Sequence, residues 1–398
     1  MNKKTILDIN LTAKSVVIRV DYNVSLVKKE SEYEVSGDVR IRESLKTINY
    51  ILKQKPSRLV ILSHLGRPEG KVDLKYSLEP VAHKLSELIN IPVEFIKTTP
   101  NKSLVEEIKN KNNGEIIMLE NLRFYPQEEK NDIEFSHILA DLGDVYVNEA
   151  FSNCHRAHAS IVGVSQYLSV VAGLGLEKEI SMITKATESP EAPLVVIIGG
   201  AKATTKIPIL EKLFVKADYV LLGGGVANTF LKALGFGIGQ SIYSPESMRL
   251  CQNLIWKATR AKTRLLLPSD LVVGRFETGI SAGIVDKEKI PLQMQALDIG
   301  PKTTSDYSEI IAQAKTIIWN GPMGAIEKPA FVGGNNAILH SVASNSGAVS
   351  VVGGGETLSA IELNEDIKHI SHVSTGGGAM LELIEKDTLP GLEVLANK

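Results

Sequence analysis

Gly199 and Gly200, followed by Lys202 and Lys206, are residues whose types and spacing suit them to hold an anion. They end the stretch LVVIIGGAKATTK, Leu194 to Lys206, in which five apolar residues run into two glycines and then into a segment able to open a helix. That pattern predicts a buried strand, a tight turn and a helix N-terminus. Glycine lets a backbone approach a phosphate closely, and a first helical turn offers N–H donors and partial positive charge. Four residues apart, the two lysines share a helix face. There they repel by about a few tenths of a kcal/mol unless an anion lies between them.

A second set of groups stands at strand ends in the first half of the chain. SVVIRV, Ser15 to Val20, leads into Asp21-Tyr22-Asn23, and GDVRIRESL carries Arg40 and Arg42, one of which can face inward. RLVILS, Arg58 to Ser63, ends in His64-Leu65-Gly66-Arg67-Pro68, and EIIML, Glu115 to Leu119, in Glu120-Asn121-Leu122-Arg123. Asp144 to Val147 leads to Asn148-Glu149-Ala150-Phe151 and on to Cys154-His155-Arg156-Ala157-His158. In a parallel α/β sheet, residues past the carboxyl ends of strands face the ligand crevice. Arginines gathered there bind phosphate or carboxylate through a fork of donors, unless each is paired by a local acid.

The elements that must position these groups read as two α/β halves. Leu176 to Thr187 has helical spacing and is stopped by Ser189-Pro190-Glu191-Ala192-Pro193, which predicts a connector between domains. Further strands are expected at Asp218 to Leu222, Arg264 to Leu267, Thr316 to Asn320 and Val349 to Val352. Glycine-bearing junctions follow several of them: Gly223-Gly224-Gly225, Asn320-Gly321-Pro322-Met323-Gly324 and Gly353-Gly354-Gly355-Glu356-Thr357, with Gly376-Gly377-Gly378 beyond. Such junctions in one sheet suit a nucleotide lying across them, yet neither GxxxxGK[ST] nor GxGxxG occurs. A dehydrogenase is therefore disfavoured. Ala379 to Lys398 reads as a short amphipathic helix broken at Pro390-Gly391.

With 398 residues, 43% hydrophobic and 23% charged, the chain has the length and composition of a two-domain globular protein. A net charge of −2 leaves no polycationic field for nucleic acid. Two cysteines, Cys154 and Cys251, form no metal or redox spacing, and no apolar run approaches a membrane span or secretory leader. A cytoplasmic protein is expected.

One half thus gathers guanidinium groups, and the other glycine turns, two lysines and a carboxylate, Glu356, suited to Mg²⁺. Together they describe phosphoryl transfer between a small anion and a nucleotide. No catalytic base stands out. An acceptor already ionised at neutral pH needs only positioning, charge neutralisation and closure of the two domains.

The chain resembles the phosphoglycerate kinases over essentially its whole length, through RVDYNV, ILSHLGRP, LENLRF, HRAHAS, GGAK with TKI, LLGGGVANTFLKA, DIGPKT, TIIWNGPMG and VSTGGGA. The resemblance implies two doubly wound parallel-sheet lobes, residues 1-175 and 191-378, joined by a hinge helix at 176-190, with 379-398 returning to the first lobe. It implies a monomer that moves the acyl phosphate of 1,3-bisphosphoglycerate reversibly to MgADP, a carboxyl group of 3-phosphoglycerate being the acceptor in reverse. Asp21, Asn23, Arg40, His64, Arg67, Arg123, His155 and Arg156 would surround the phosphoglycerate, Arg40 pointing inward and Arg42 outward. Gly200, Ala201, Lys202, Lys206, Gly224, Gly225, Leu297, Asn320, Pro322, Gly324, Glu327, Gly355, Glu356 and Thr357 would form the nucleotide site, with Glu356 as metal ligand. Arg40, Lys202, Lys206 and Gly376, Gly377 and Gly378 would act on the phosphoryl in flight. The chain departs from the family pattern at Ser25, Glu149, Ser152, Thr205 and Glu356. The last two motivate the alternative of a weakened nucleotide-binding regulator.

Overall fold

A computed structural model describes residues 2–30, 32–361 and 364–398. The chain forms two compact units, Met1–Ser181 with Thr388–Lys398, and Met182–Asp387.

The first unit contains β1 (Ser15–Arg19), β2 (Leu26–Lys29), β3 (Glu32–Val35), β4 (Arg58–Leu62), β5 (Val93–Ile96), β6 (Glu115–Leu119), β7 (Val145–Asn148) and β8 (Val170–Ala172). β2 and β3 pair as an antiparallel ribbon, and the other six make one parallel sheet in the order β5-β6-β4-β1-β7-β8. Every residue of β1 and β7 is buried, because helices cover both faces of a parallel sheet. The chain leaves β1 toward β4 on one side and later returns to β7 on the other, and the ligand crevice of such a sheet lies at that reversal. Arg19 aligns with Leu62 of β4 and with Asn148 of β7, so the loops after these strands start level.

The second unit contains β9 (Leu194–Ile198), β10 (Tyr219–Leu222), β11 (Arg264–Leu266), β12 (Asp270–Arg275), β13 (Ile280–Asp286), β14 (Gln295–Ile299), β15 (Thr316–Asn320), β16 (Val349–Gly353) and β17 (His372–Ser374). Its parallel sheet has the order β11-β10-β9-β15-β16-β17. Ile198 aligns with Leu222 and Asn320, and Asn320 with Gly353, which brings four glycine-bearing loops to one level. A separate antiparallel sheet, β13-β12-β14, packs on Leu231, Ile238 and Ile290 around a small core of its own. The larger core holds Trp319, fully buried, whose Nε1–H donates to Gly321 O at 2.9 Å. Full burial of each large apolar side chain there contributes about 1.5–3 kcal/mol.

The connector is the helix Leu174–Glu188, which starts in the first unit and ends in the second. The helix Gly378–Lys386 buries Ala379, Met380, Leu383 and Ile384 and packs on the helix Ala203–Phe214. The chain therefore rejoins the first unit at Thr388 rather than Ala379. Pro390 does not break a helix but opens the next one, Pro390–Glu393, where its missing N–H costs nothing. Beyond it Leu395 pairs with Val170 and Asn397 with Lys3. Among the described residues no helix is long and apolar enough to cross a membrane.

Candidate active site

In the first unit the loops after β1, β4, β6 and β7 meet around Asp21. Its Oδ2 accepts from Arg40 Nη1 and from Ser152 Oγ, its Oδ1 accepts from the Asn23 N–H at 2.9 Å, and His64 Nε2 stands 3.9 Å away. Burial opposes the charge of Asp21. His64, Arg40, the Ser152 hydroxyl and the Asn23 N–H outweigh that and hold its carboxyl at about 2. Arg19 Nη2 lies 3.2 Å from His64 Nδ1. A guanidinium only donates, so Nδ1 accepts and the ring proton is assigned to Nε2, facing Asp21. Burial, with Arg19, Arg123 and Arg40 close by, holds His64 well below its usual range despite Asp21. The ring is neutral at pH 7, where Arg40 is the cation beside Asp21, and a His64 charge joins it only at acid pH.

Behind this pair runs a buried network that the sequence reading missed. Arg19 is fully buried and donates from Nε to Ser160 Oγ at 2.9 Å. Ser160 Oγ in turn donates to Glu128 Oε1 at 2.6 Å, and its N–H to Glu128 Oε2 at 3.0 Å. Each charge here is hydrogen-bonded, as burial requires. The signal was legible: Arg19 is the only charge in the apolar run SVVIRV.

Asn23 Oδ1 accepts from the Gly66 N–H at 2.9 Å, and Arg123 Nη1 donates to Gly66 O at 2.9 Å. At Gly66, φ is +61° and an added Cβ would lie 2.4 Å from the Tyr76 ring, so the His64–Pro68 turn needs glycine there. Arg123 is buried, its Nε 3.5 Å from Glu129. Burial, with Arg19 and Arg156 nearby, brings it down to about 10, which leaves it charged at neutral pH. Arg67 is exposed, His155 and Arg156 are half-buried, and neither Arg67 nor Arg156 forms an ion pair among the described residues. Arg42 points outward and pairs with Asp38 at 2.8 Å, leaving Arg40 as the inward arginine.

In the second unit the recognition surface is mainly backbone. The Gly200 N–H donates to Pro322 O at 2.7 Å, the Gly224 N–H to Met323 O at 2.9 Å, and the Gly199 N–H to Asn320 O at 2.9 Å. These bonds lace the turns after β9, β10 and β15 together. An added Cβ at Gly321, where φ is +88°, would lie 2.2 Å from Gly199 O, and one at Gly225 would lie 2.7 Å from Ala201 O. Lys202 is the exposed N-cap of Ala203–Phe214, and Lys206 one turn on is buried, its Nζ donating to Asn320 Oδ1. Burial lowers the Lys206 pKa, and Glu356 opposes that. Asn320 Nδ2 donates to Gly353 O at 2.7 Å, and Thr357 Oγ1 accepts from the Gly321 N–H at 2.7 Å.

The Ala325 N–H donates to Leu297 O at 2.7 Å, so the Pro322–Gly324 loop and the segment carrying Glu327 run beside β14. Gly355 and Glu356 open the helix Gly355–Ile361, both exposed. Gly376 donates its N–H to Ser374 Oγ at 3.2 Å, and Gly377, at φ +53°, precedes the helix Gly378–Lys386, whose N-terminus no side chain caps. Among the described residues no three His, Cys, Asp or Glu side chains converge on a metal. Glu356 Oε2 would lie 2.9 Å from a Cβ added at Gly200, which puts this carboxylate beside the turn after β9. A single exposed carboxylate suits Mg²⁺, which is commonly held by one or two carboxylates together with substrate phosphates.

Guanidinium groups at the strand ends of one α/β unit, and glycine turns with a lysine pair at those of the other, define a kinase of the two-unit α/β class. A family model described as phosphoglycerate kinase matches residues 6–387. A phosphoglycerate kinase of Dictyoglomus turgidum is 45% identical over 402 residues, with all of both chains covered. One of Herpetosiphon aurantiacus is 43% identical, again over the whole of both. The solved phosphoglycerate kinase of Coxiella burnetii superposes with a TM-score of 0.87 at 38% identity over 98% of each chain, and that of Pyrococcus horikoshii with 0.84 at 31% over 98% of each. The chain belongs to the phosphoglycerate kinase family.

Proposed function

We propose that the chain, as a cytoplasmic monomer, transfers the acyl phosphate of 1,3-bisphosphoglycerate to MgADP, giving 3-phosphoglycerate and ATP, and runs the reverse as well. The observation that carries this reading is that Arg67 and Arg156 remain without an ion pair among the described residues, beside an Asp21–Arg40 pair already satisfied internally. Two guanidinium forks left open in loops at the same end of one sheet suit a ligand bearing both a phosphate and a carboxyl group. Asp21 and Asn23 would hold its hydroxyl, Arg67, Arg123, His155 and Arg156 its distal phosphate, and Arg40 with His64 its reacting carboxyl end.

Gly200, Ala201, Gly224, Gly225, Leu297, Asn320, Pro322, Gly324 and Glu327 would line the nucleoside and its first phosphate, with Gly355 and Thr357 beside them. Lys202, Lys206 and the N–H groups of Gly376, Gly377 and Gly378 would meet the phosphoryl group in transit. Glu356 would hold Mg²⁺, which neutralises charge on the nucleotide phosphates. In the reverse direction the attacking carboxylate is ionised at neutral pH, so a base is unnecessary and closure that excludes water completes the site. A coupled assay with ATP, Mg²⁺ and 3-phosphoglycerate tests the reading. Turnover that depends on all three supports it, and nucleotide binding without 3-phosphoglycerate-dependent turnover would sink it.

A further inference from the structure

The first turn of the connector helix Leu174–Glu188 has backbone N–H groups that its own helix cannot use. Three consecutive ones are taken by side chains. The Leu174 N–H donates to Thr47 Oγ1 at 3.0 Å, the Gly175 N–H to Glu149 Oε1 at 2.9 Å and the Leu176 N–H to Glu149 Oε2 at 3.1 Å. Thr47 Oγ1 also donates to Glu149 Oε1, which joins the two receptors into one group. The chain makes room for the carboxylate. A Cβ added at Gly173 would lie 2.0 Å from Glu149 Oε2, and one at Gly175 would lie 2.7 Å from Oε1. Burial pushes the Glu149 carboxyl up to about 7, against the pull of Thr47 and of the Leu176 and Gly175 N–H groups, while Glu43 adds to the rise. A carboxylate is kept at this depth although ionising it is unfavourable.

Both receptors are attached to the Asp21–Arg40 pair. Thr47 sits on the helix Val39–Lys53, whose second residue is Arg40. Glu149 lies three residues before Ser152, whose Oγ donates to Asp21 Oδ2. One loop therefore touches the proposed substrate pair at one end and the connector at the other. Thr47 is fully buried, and both carboxylate oxygens of Glu149 are taken by Thr47 and the connector N–H groups.

We propose that Glu149 and Thr47 are positioning residues that clamp the first turn of the connector helix to the loop and helix carrying Ser152 and Arg40, so that occupancy of the Asp21–Arg40 pair is transmitted to the connector. The proposal rests on the functional reading above. It assigns this chain's Glu149 and Ser152 to one device.

The test compares Glu149→Gln, Thr47→Val, Thr47→Ser and Ser152→Gly in the full chain, by steady-state kinetics and by amide hydrogen exchange. In Glu149→Gln the amide NH₂ must face one of two N–H donors, so kcat falls about tenfold while KM for 3-phosphoglycerate stays within about threefold. Exchange at Leu174, Gly175 and Leu176 speeds up by about tenfold, and that at Val17 and Val60 in the core is unchanged. Thr47→Val shows the same pattern, and Thr47→Ser, which keeps the hydroxyl, restores kcat to within about twofold. Added 3-phosphoglycerate slows exchange at Leu174 to Leu176 in the wild type by about threefold or more, and does so less in Ser152→Gly.

Should Glu149→Gln fail to fold, the Thr47 pair carries the comparison. A kcat within about twofold of wild type in both Glu149→Gln and Thr47→Val would overturn the positioning role, as would wild-type exchange indifferent to 3-phosphoglycerate. Absence of turnover in the wild type would instead strike the functional reading. The exchange comparison between wild type and variants needs no turnover and judges the clamp separately.

Discussion

A half-buried carboxylate of the first unit, Asp21, and a buried one of the second, Asp298, are shifted in opposite directions. Asp21 faces Arg40 and is held at about 2, whereas Asp298, which accepts from the Gly334 N–H at 2.7 Å and the Ile299 N–H at 2.9 Å, is pushed by burial to about 7. Both receive backbone hydrogen bonds, and the difference lies in the cation. The first unit prepares its site with full charges that lock one another in place, and in the proposed reading an anion would join a network already built. The second prepares its site with backbone turns closed tightly enough to exclude a Cβ, and adds two lysines. A small ligand with several fixed charges is read by side chains. A nucleotide, long and flexible, is read by close approach of backbone.

The contrast can be broken by exchanging what each side relies on. The largest effects belong to the cations: Arg40→Ala and Lys206→Ala should each lower kcat by about 10²–10³, the size of losing one preorganised charge donor. Arg40→Lys should recover only part of this in the coupled assay, since an ammonium cannot present the fork. If Arg40→Ala retained more than half of wild-type kcat, the side-chain view of the first unit would be wrong.

Next comes the backbone. Gly321→Ala combines a left-handed φ of +88° with a Cβ 2.2 Å from Gly199 O, and should destabilise the second unit by about 2–4 kcal/mol in urea unfolding. Gly237→Ala, with nothing within 4 Å of the added Cβ, should stay within about 0.5 kcal/mol.

The third test uses pH. A folded pKa of about 2 for Asp21, below its unfolded value, gives stability that is present above pH 4 and lost as pH falls through about 2. That is worth about 2 kcal/mol. Asp21→Asn should therefore flatten the acid limb of the stability curve. Asp298 has the opposite sign: its raised pKa means stability that declines as pH rises from about 4 to about 7. Asp298→Asn should remove that decline, and an Asp298→Asn curve that kept it would separate the two carboxylates for some other reason than the cation.

The smallest effect is expected at Glu356. Shortening it in Glu356→Asp should shift the Mg²⁺ concentration for half-maximal rate by about threefold without altering stability, measured by metal titration of the coupled assay. An unchanged Mg²⁺ dependence would remove the metal role from this residue.

The central strands of both sheets were legible because each is an unbroken apolar run closed by a polar or glycine cluster, as in EIIML before Glu120 and TIIWN before Gly321. β5, β8 and β17, edge strands of three or four residues, were not, whereas the equally short edge strand β11 was, through its leucine run. The antiparallel sheet was invisible for a related reason. β13 is mostly exposed along its seven residues and carries a glycine, so neither alternation nor a continuous apolar run marks it. Of the site, Lys202, Lys206 and the glycine turns followed from local pattern. Arg19 was marked only as a lone charge in an apolar run, and Ser152, Ser160 and Glu128 by nothing local, since their meaning lies in partners far along the chain.

The sequence by itself determined which residue types stand at the ends of strands, because apolar runs must be buried and the polar residues that close them must not. Tertiary structure alone decided who pairs with whom. Arg40 and Arg42 differ by two positions on one helix, and the packing that buries Ile41, Ser44, Ile48 and Ile51 of that helix turns the first toward Asp21 and leaves the second to Asp38. Helical periodicity fixes the angle between two side chains, not the direction either faces. That direction is set by what the rest of the chain packs against the helix.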